Sequence, residues 1–122
     1  LTPHWAKIKG QTESDLLALS KEEAFKNLRP LSLRPAGVDP TFHEEIQEFI
    51  PKRTGLAKAA EGALLPVLRG VYTKMISPTK DLGRVLTELA AGSGEKHDET
   101  ASGVTGEGRT LNNVAMRRLA GI

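Results

Sequence analysis

Seven prolines, all within the first 78 residues, constrain this 122-residue chain more than any other feature. Each one fixes where a helix or strand must start, stop or bend. Thr2-Pro3 is a good helix opening, because Thr caps free N–H groups and Pro at the first helical position sacrifices none. Trp5, Ile8, Thr12, Leu16 and Leu19 then recur at three- and four-residue spacing. They share one helical face to about Leu19, with Gly10 as its weak point. Ser20-Lys21-Glu22-Glu23 reads as a capping box for one helical turn reaching Lys26. Leu28 to Arg34 is the best strand candidate: Leu31, Ser32 and Leu33 alternate and Pro35 stops the run. Pro30 confines that strand to a start or an edge position. Pro35 to Pro40 predicts a loop. Thr41 with Glu44 predicts a second capping box, opening a helix through His43, Ile46, Phe49 and Ile50 until Pro51.

A basic turn, Lys52-Arg53-Thr54-Gly55, leads into a helical stretch from Leu56 to Met75, which Pro66 should kink or break. Pro78-Thr79 opens a further helix with the stripe Leu82, Val85, Leu86, Leu89 and Ala90, and Gly92 lies past its end. Ser93 to Gly108 is rich in Gly and charge and reads as a flexible loop. Thr110 to Ala120 reads as a helix carrying Leu111, Val114, Ala115, Arg118 and Leu119. There is no internal repeat. The chain is expected to be a single partial domain, divided at residue 50 into an amino-terminal strand-and-loop part and a helical part over 51–122.

Composition excludes several classes of function. Seventeen Lys and Arg against fifteen Asp and Glu leave a formal charge of +2, too even for a nucleic-acid footprint. The absence of Cys removes disulfides, thiolate nucleophiles and Cys-ligated metals. Hydrophobic residues make up 39% but aromatics only 4%, so the core must be thin and aliphatic. No apolar run approaches the roughly 20 residues that span a bilayer. Glu61 and Pro66 also interrupt the apolar face that a membrane-surface helix over Leu56–Met75 would need. His4, His43 and His97 are too scattered for a metal site. His43-Glu44-Glu45-Ile46-Gln47 has Gln where a zinc-protease helix needs its second His. No hydroxyl sits in a nucleophile elbow. Arg117-Arg118 is a favourable cation placement at a helix end. With no signal-peptide pattern the expected location is cytoplasmic. A first residue other than Met suggests that something upstream has been removed.

Trp5 and Lys9 lie four apart, so their side chains stack on one helical face, with Glu13 continuing the row. From spacing alone this is a core Trp beside a surface ion pair. Trp5-Ala6-Lys7-Ile8-Lys9-Gly10-Gln11-Thr12-Glu13 also resembles the active-site helix of short-chain dehydrogenase/reductases, with its Tyr-x-x-x-Lys signature. The wording is closest to the atypical, nucleoside-diphosphate-sugar-epimerase-like NAD(P)-binding branch. Leu31-Ser32-Leu33-Arg34-Pro35-Ala36-Gly37-Val38 is similar to that family's strand and following "RPG" loop. Pro78-Thr79-Lys80-Asp81-Leu82-Gly83-Arg84 is similar to its late "LGRA" helix. The three occur in family order and frame about two-thirds of the residues.

The resemblance implies an α/β chain: the helix-rich carboxyl-terminal half of a Rossmann-like NAD(P)-binding fold, with one or two parallel strands. It implies an oxidoreductase- or epimerase-like protein acting with NAD(P) on an unknown small molecule. Lys9 takes the catalytic Lys position and holds the nicotinamide ribose. Trp5 stands where the family has Tyr. Its indole N–H donates a hydrogen bond but gives up no proton, so ordinary Tyr-based chemistry is not expected. Trp5 would line the pocket, and Pro35, Gly37 and Val38 would flank the nicotinamide. The same loop also reads as an ordinary turn of the chain. The family's phosphate-binding, glycine-rich half would lie upstream of Leu1. Gly103-Val104-Thr105-Gly106-Glu107-Gly108 has the wrong glycine order for it and reads as a solvated loop. The alternative is a non-enzymatic helical interaction module or reductase remnant. It would pair with a protein partner or a second copy through an exposed sheet edge.

Overall fold

The computed structural model describes residues 3–51 and 54–122, and at 57, 58 and 61 the backbone alone. The chain is mixed α/β. Among the described residues four α-helices, α1 (His4–Leu19), α2 (Leu56–Val71), α3 (Thr79–Ala91) and α4 (Asn113–Ala120), are interspersed with five short strands. The strands are β1 (Ser32–Arg34), β2 (Gly37–Asp39), β3 (Ile76–Pro78), β4 (Val104–Thr105) and β5 (Thr110–Asn112). Short 3₁₀ helices lie at Glu23–Phe25, Glu44–Phe49 and Thr73–Met75.

One sheet has the order β1-β5-β4, with β1 and β5 parallel and β4 antiparallel to β5. The second pairs β2 with β3 in parallel, Gly37 opposite Ile76 and Asp39 opposite Pro78. Parallel strands need a long crossover, and α2 supplies it between β2 and β3. Leu111 on the central strand is fully buried. Val104 and Ala115 cluster with it, a second cluster holds Val85, Met116 and Ala120, and Leu33, Leu89 and Leu119 pack against both. The core therefore lies where β5, α3 and α4 meet. It is thin and aliphatic, as the composition requires.

Helix α3 starts and ends where Pro78-Thr79 and Gly92 predict, and Val85 is the buried centre of its stripe. Other local signals were overridden. Gly37–Asp39, expected as loop, is a strand, because β3 offers it a ladder of hydrogen bonds 39 residues away in sequence. Thr110–Asn112, expected as the first turn of the last helix, is the central strand instead. Asn112 caps α4 by accepting the Val114 and Ala115 N–H groups at 2.8 and 3.2 Å, so the helix starts after it. The glycine cluster at 103–108 is a β-hairpin rather than a solvated loop, and Val104 and Gly108 within it are buried. Gly103 (φ +86°) is required there: a Cβ would sit 2.3 Å from the Asn112 Oδ1 cap.

Neither predicted capping box forms. Ser20 closes α1, its hydroxyl donating to the Leu17 carbonyl, and Thr41 sits in a turn around Asp39. The helix expected after Thr41 forms as a six-residue 3₁₀ helix, Glu44–Phe49, with no side-chain cap. Pro3 takes the cap position of α1 itself. Thr2 and the Lys52-Arg53 part of the basic turn lie outside the described residues. Helix α2 runs through Pro66 and stops at Val71. Pro66 is exposed, so the carbonyl deprived of its N–H faces water.

Trp5, expected in the core, is 63% exposed, and α1 has no buried residue. Strand β1 is an open edge. Ser32 donates its N–H to the Arg109 carbonyl at 2.8 Å, so the parallel register turns the Leu33 backbone groups to the opposite, unpaired side. A cavity of about 410 Å³ follows this edge, lined in part by Leu31, Leu33, Leu86 and Leu89. No helix among the described residues is long and apolar enough to cross a membrane.

Candidate functional site

The first turns of α1 present an aromatic ring and a cation together. The Lys9 ammonium lies 5.2 Å from the centroid of the Trp5 ring, a cation–π arrangement set by the four-residue spacing. Among the described residues Lys9 has no carboxylate partner. One turn on, Glu13 accepts the Arg34 guanidinium as a fork, from Nε at 3.0 and 3.1 Å and from the terminal nitrogen. That carboxylate holds Arg34 still more firmly protonated than usual. The fork carries structural information because Arg34 is the last residue of β1, directly before Pro35. The helix that displays Lys9 is thereby tied to the segment that contains Pro35, Gly37 and Val38.

That segment is held from three sides. Gly37 begins the β2–β3 ladder, and a Cβ at this position would lie 3.3 Å from the Met75 carbonyl, closer than side chains normally approach. Ala36 donates its N–H to the Ser77 hydroxyl at 3.0 Å. At the far end Asp39 is buried and accepts Arg69 Nε at 2.7 Å and its terminal nitrogen at 2.8 Å. The Arg69 hydrogen bonds, with the Thr41 backbone N–H, hold the Asp39 carboxyl below the usual carboxylate range despite its burial. Arg69 in turn lies 5.0 Å from the Phe42 ring centroid. Because strand side chains alternate, Val38 points away from Asp39 and is half-exposed.

The structure thus brings Trp5 against Lys9 and places Pro35, Gly37 and Val38 on one anchored segment. Among the described residues no hydrogen bond joins Lys9 directly to that segment; the link runs through Glu13 and Arg34. Sequence reasoning missed Arg34, Asp39, Arg69, Ser77 and Asn113. A lone Arg in an exposed helix carries no signal. Ser77 was discoverable only as the middle of the apolar-flanked Ile76-Ser77-Pro78, once that run is read as a strand.

Lys9 stands beside an exposed indole, and Gly37 carries no side chain over its backbone. Nothing described fits the pyrophosphate, since the one dense glycine cluster is a hairpin with no helix N-terminus following its turn. Among the described residues no group of three His, Asp or Glu could hold a metal ion.

The chain is 37% identical over 123 residues to botcinic acid biosynthesis cluster B protein 16 of Botryotinia fuckeliana (strain B05.10). It belongs to that protein's family. The match covers 99% of this chain and 76% of the relative. Leucinostatins biosynthesis cluster protein T of Purpureocillium lilacinum is 26% identical over 100 residues, covering 81% of this chain and 36% of that protein. The chain thus spans about three-quarters of the first relative and about a third of the second. No family model and no solved structure matches it.

Proposed function

We propose that this chain is the nicotinamide-facing part of an NAD(P)-binding protein. Its class would be the atypical short-chain dehydrogenase/reductases and epimerase-like proteins, working without Tyr-based catalysis. The carrying observation is the Glu13–Arg34 fork, which joins the helix bearing Trp5 and Lys9 to the Arg34-Pro35-Ala36-Gly37-Val38 segment. The β2–β3 ladder then joins that segment to the strand opening Pro78-Thr79-Lys80-Asp81. Three stretches that resemble one family in sequence order are thereby contiguous in space. The parallel strands fit the carboxyl-terminal half of a Rossmann-like sheet, whose ligands lie beyond the carboxyl ends of its strands.

In this reading Lys9 donates to the ribose hydroxyls, and the Trp5 indole covers one side of the pocket. Pro35 and Gly37 present a backbone that a flat carboxamide can approach, and Val38 shields it from water. A bound NAD(P) would supply hydride donation or acceptance. Trp5 offers no proton for a substrate oxygen, so the chain's own residues position and desolvate rather than act as the general acid. Both relatives are named for biosynthesis clusters, of botcinic acid and of leucinostatins. A step on a small biosynthetic intermediate suits both names.

Trp5 is the sole tryptophan of these 122 residues, so with any tryptophan outside them replaced by Phe its emission reports on a nicotinamide beside it. Titrating the full-length protein with NADPH and with NADH should quench that emission saturably. Lys9→Ala and Val38→Asp should each weaken binding roughly tenfold, the loss of one charge-assisted contact or the burial of an unpaired charge. Unchanged affinity in both variants would sink the assignment.

A further inference from the structure

We propose that Ser77, locked by Asn113, is the positioning residue for the Pro35–Val38 segment. The inference rests on the reading of that segment as ligand-facing. Ser77 lies in the middle of β3 with no exposed surface, a place where an apolar side chain would contribute more to the core. A buried hydroxyl is costly unless it is hydrogen-bonded, and here it is bonded twice. It accepts the Ala36 N–H at 3.0 Å and donates to Asn113 Oδ1 at 2.6 Å.

The direction of each bond is fixed by the donor inventory. Asn113 is buried and spends its amide nitrogen on two carbonyls, Lys74 at 2.6 Å and Ile76 at 3.2 Å. Its oxygen must therefore face Ser77 as acceptor. That commits the Ser77 proton to Asn113 and leaves a lone pair aimed at Ala36. The relay runs from the first residue of α4, through the middle of β3, to the backbone just before β2.

This relay acts between two ladders, of which β1–β5 ends at Arg34. The β2–β3 ladder starts at Gly37, and Pro35 has no N–H to give. Ahead of the ladder, the Ala36 N–H is the backbone donor that fixes the approach of the chain to Gly37, and Ser77 is its acceptor. Shifting Ala36 would shift Pro35 and the bare backbone at Gly37, the groups read above as meeting the ligand. Ser77 touches no ligand in this scheme. It acts through the segment it holds.

The test compares Ser77→Ala with Ser77→Thr in the full-length protein, by amide hydrogen exchange and by NADPH titration. Ser77→Ala should speed exchange at Ala36 by roughly tenfold relative to the Leu111 amide, the effect of losing one buried hydrogen bond. NADPH affinity should fall by a similar factor, and Ser77→Thr, which keeps the hydroxyl, should recover both. Exchange at Ala36 that is unchanged, or that rises only in step with Leu111, overturns the proposal. So does full NADPH affinity in Ser77→Ala. Should the unmodified protein fail to bind NADPH, the dinucleotide reading falls by itself. The ratio of Ala36 to Leu111 exchange then still decides for or against Ser77 as what places the segment.

Discussion

Helices α1 and α4 both space apolar residues three and four apart, but the stripe of α4 is much the more sharply amphipathic, and their fates are opposite. The 8 residues of α4 bury Asn113, Ala115, Met116 and Ala120, whereas none of the 16 residues of α1 is buried. Amphipathic spacing states which residues share a face; it does not supply the surface that face meets. Helix α4 follows β5 directly and folds back on it and on α3, so a partner is covalently at hand. Helix α1 leaves Trp5, Ile8 and Leu16 exposed and is fastened to β1 by an ion pair instead of by a core. Buried packing therefore concentrates in the carboxyl-terminal part, and the groups proposed to face a ligand lie in the part that is less packed.

Four substitutions would break or sharpen that contrast. Leu111→Ala should cost about 3 kcal/mol of unfolding free energy by opening a cavity in the packed centre. Leu16→Ala should cost no more than about 0.5 kcal/mol, as expected of a surface position. Denaturant titration of both variants measures the difference, and equal losses would mean that α1 belongs to the same cooperative core.

Asp39→Asn comes next, at roughly 2–3 kcal/mol, because it leaves Arg69 without its buried carboxylate. Its pH dependence has a definite sign. Arg69 lowers the Asp39 pKa in the folded chain, so the unfolded chain binds the proton more readily. The contribution is complete above the ordinary carboxylate value near 4 and is lost as pH falls through the depressed one. Melting followed between about pH 6 and pH 2 should show the unmodified protein converging on the variant at the acid end. Parallel curves over that range would remove the pair from the stability of β2.

Asn112→Ala ranks below Asp39→Asn, at about 1 kcal/mol, the usual value of a lost helix cap. It should be read by thermal unfolding together with exchange at Val114 and Ala115. Protection unchanged at those two amides would show that α4 is held by packing alone.

The candidate site was partly legible before the fold was known. The four-residue spacing of Trp5 and Lys9 is a local fact, and it produced the observed stack. Pro35-Ala36-Gly37-Val38 reads as a loop, and the chain does bend at Ala36, but Gly37 and Val38 are strand residues. Three-residue strands show too few alternations to be told from loops, and β-structure depends on a neighbour more than on intrinsic preference. The residues that hold the segment were silent for the same reason: Asp39 meets Arg69 30 residues away, and Ser77 meets Asn113 36 residues away.

By itself the amino-acid sequence determined the helices α1 and α3, the strand ending at Arg34, the thin aliphatic core and the exclusion of Cys chemistry. Helix periodicity, proline placement and composition act within a few residues, so they can be read without a fold. Only the tertiary structure decided that 37–39, 76–78 and 110–112 are strands, which apolar faces are covered, and which side chains anchor the Pro35–Val38 segment. Those outcomes depend on partners brought together across dozens of residues, and no local pattern encodes that free energy.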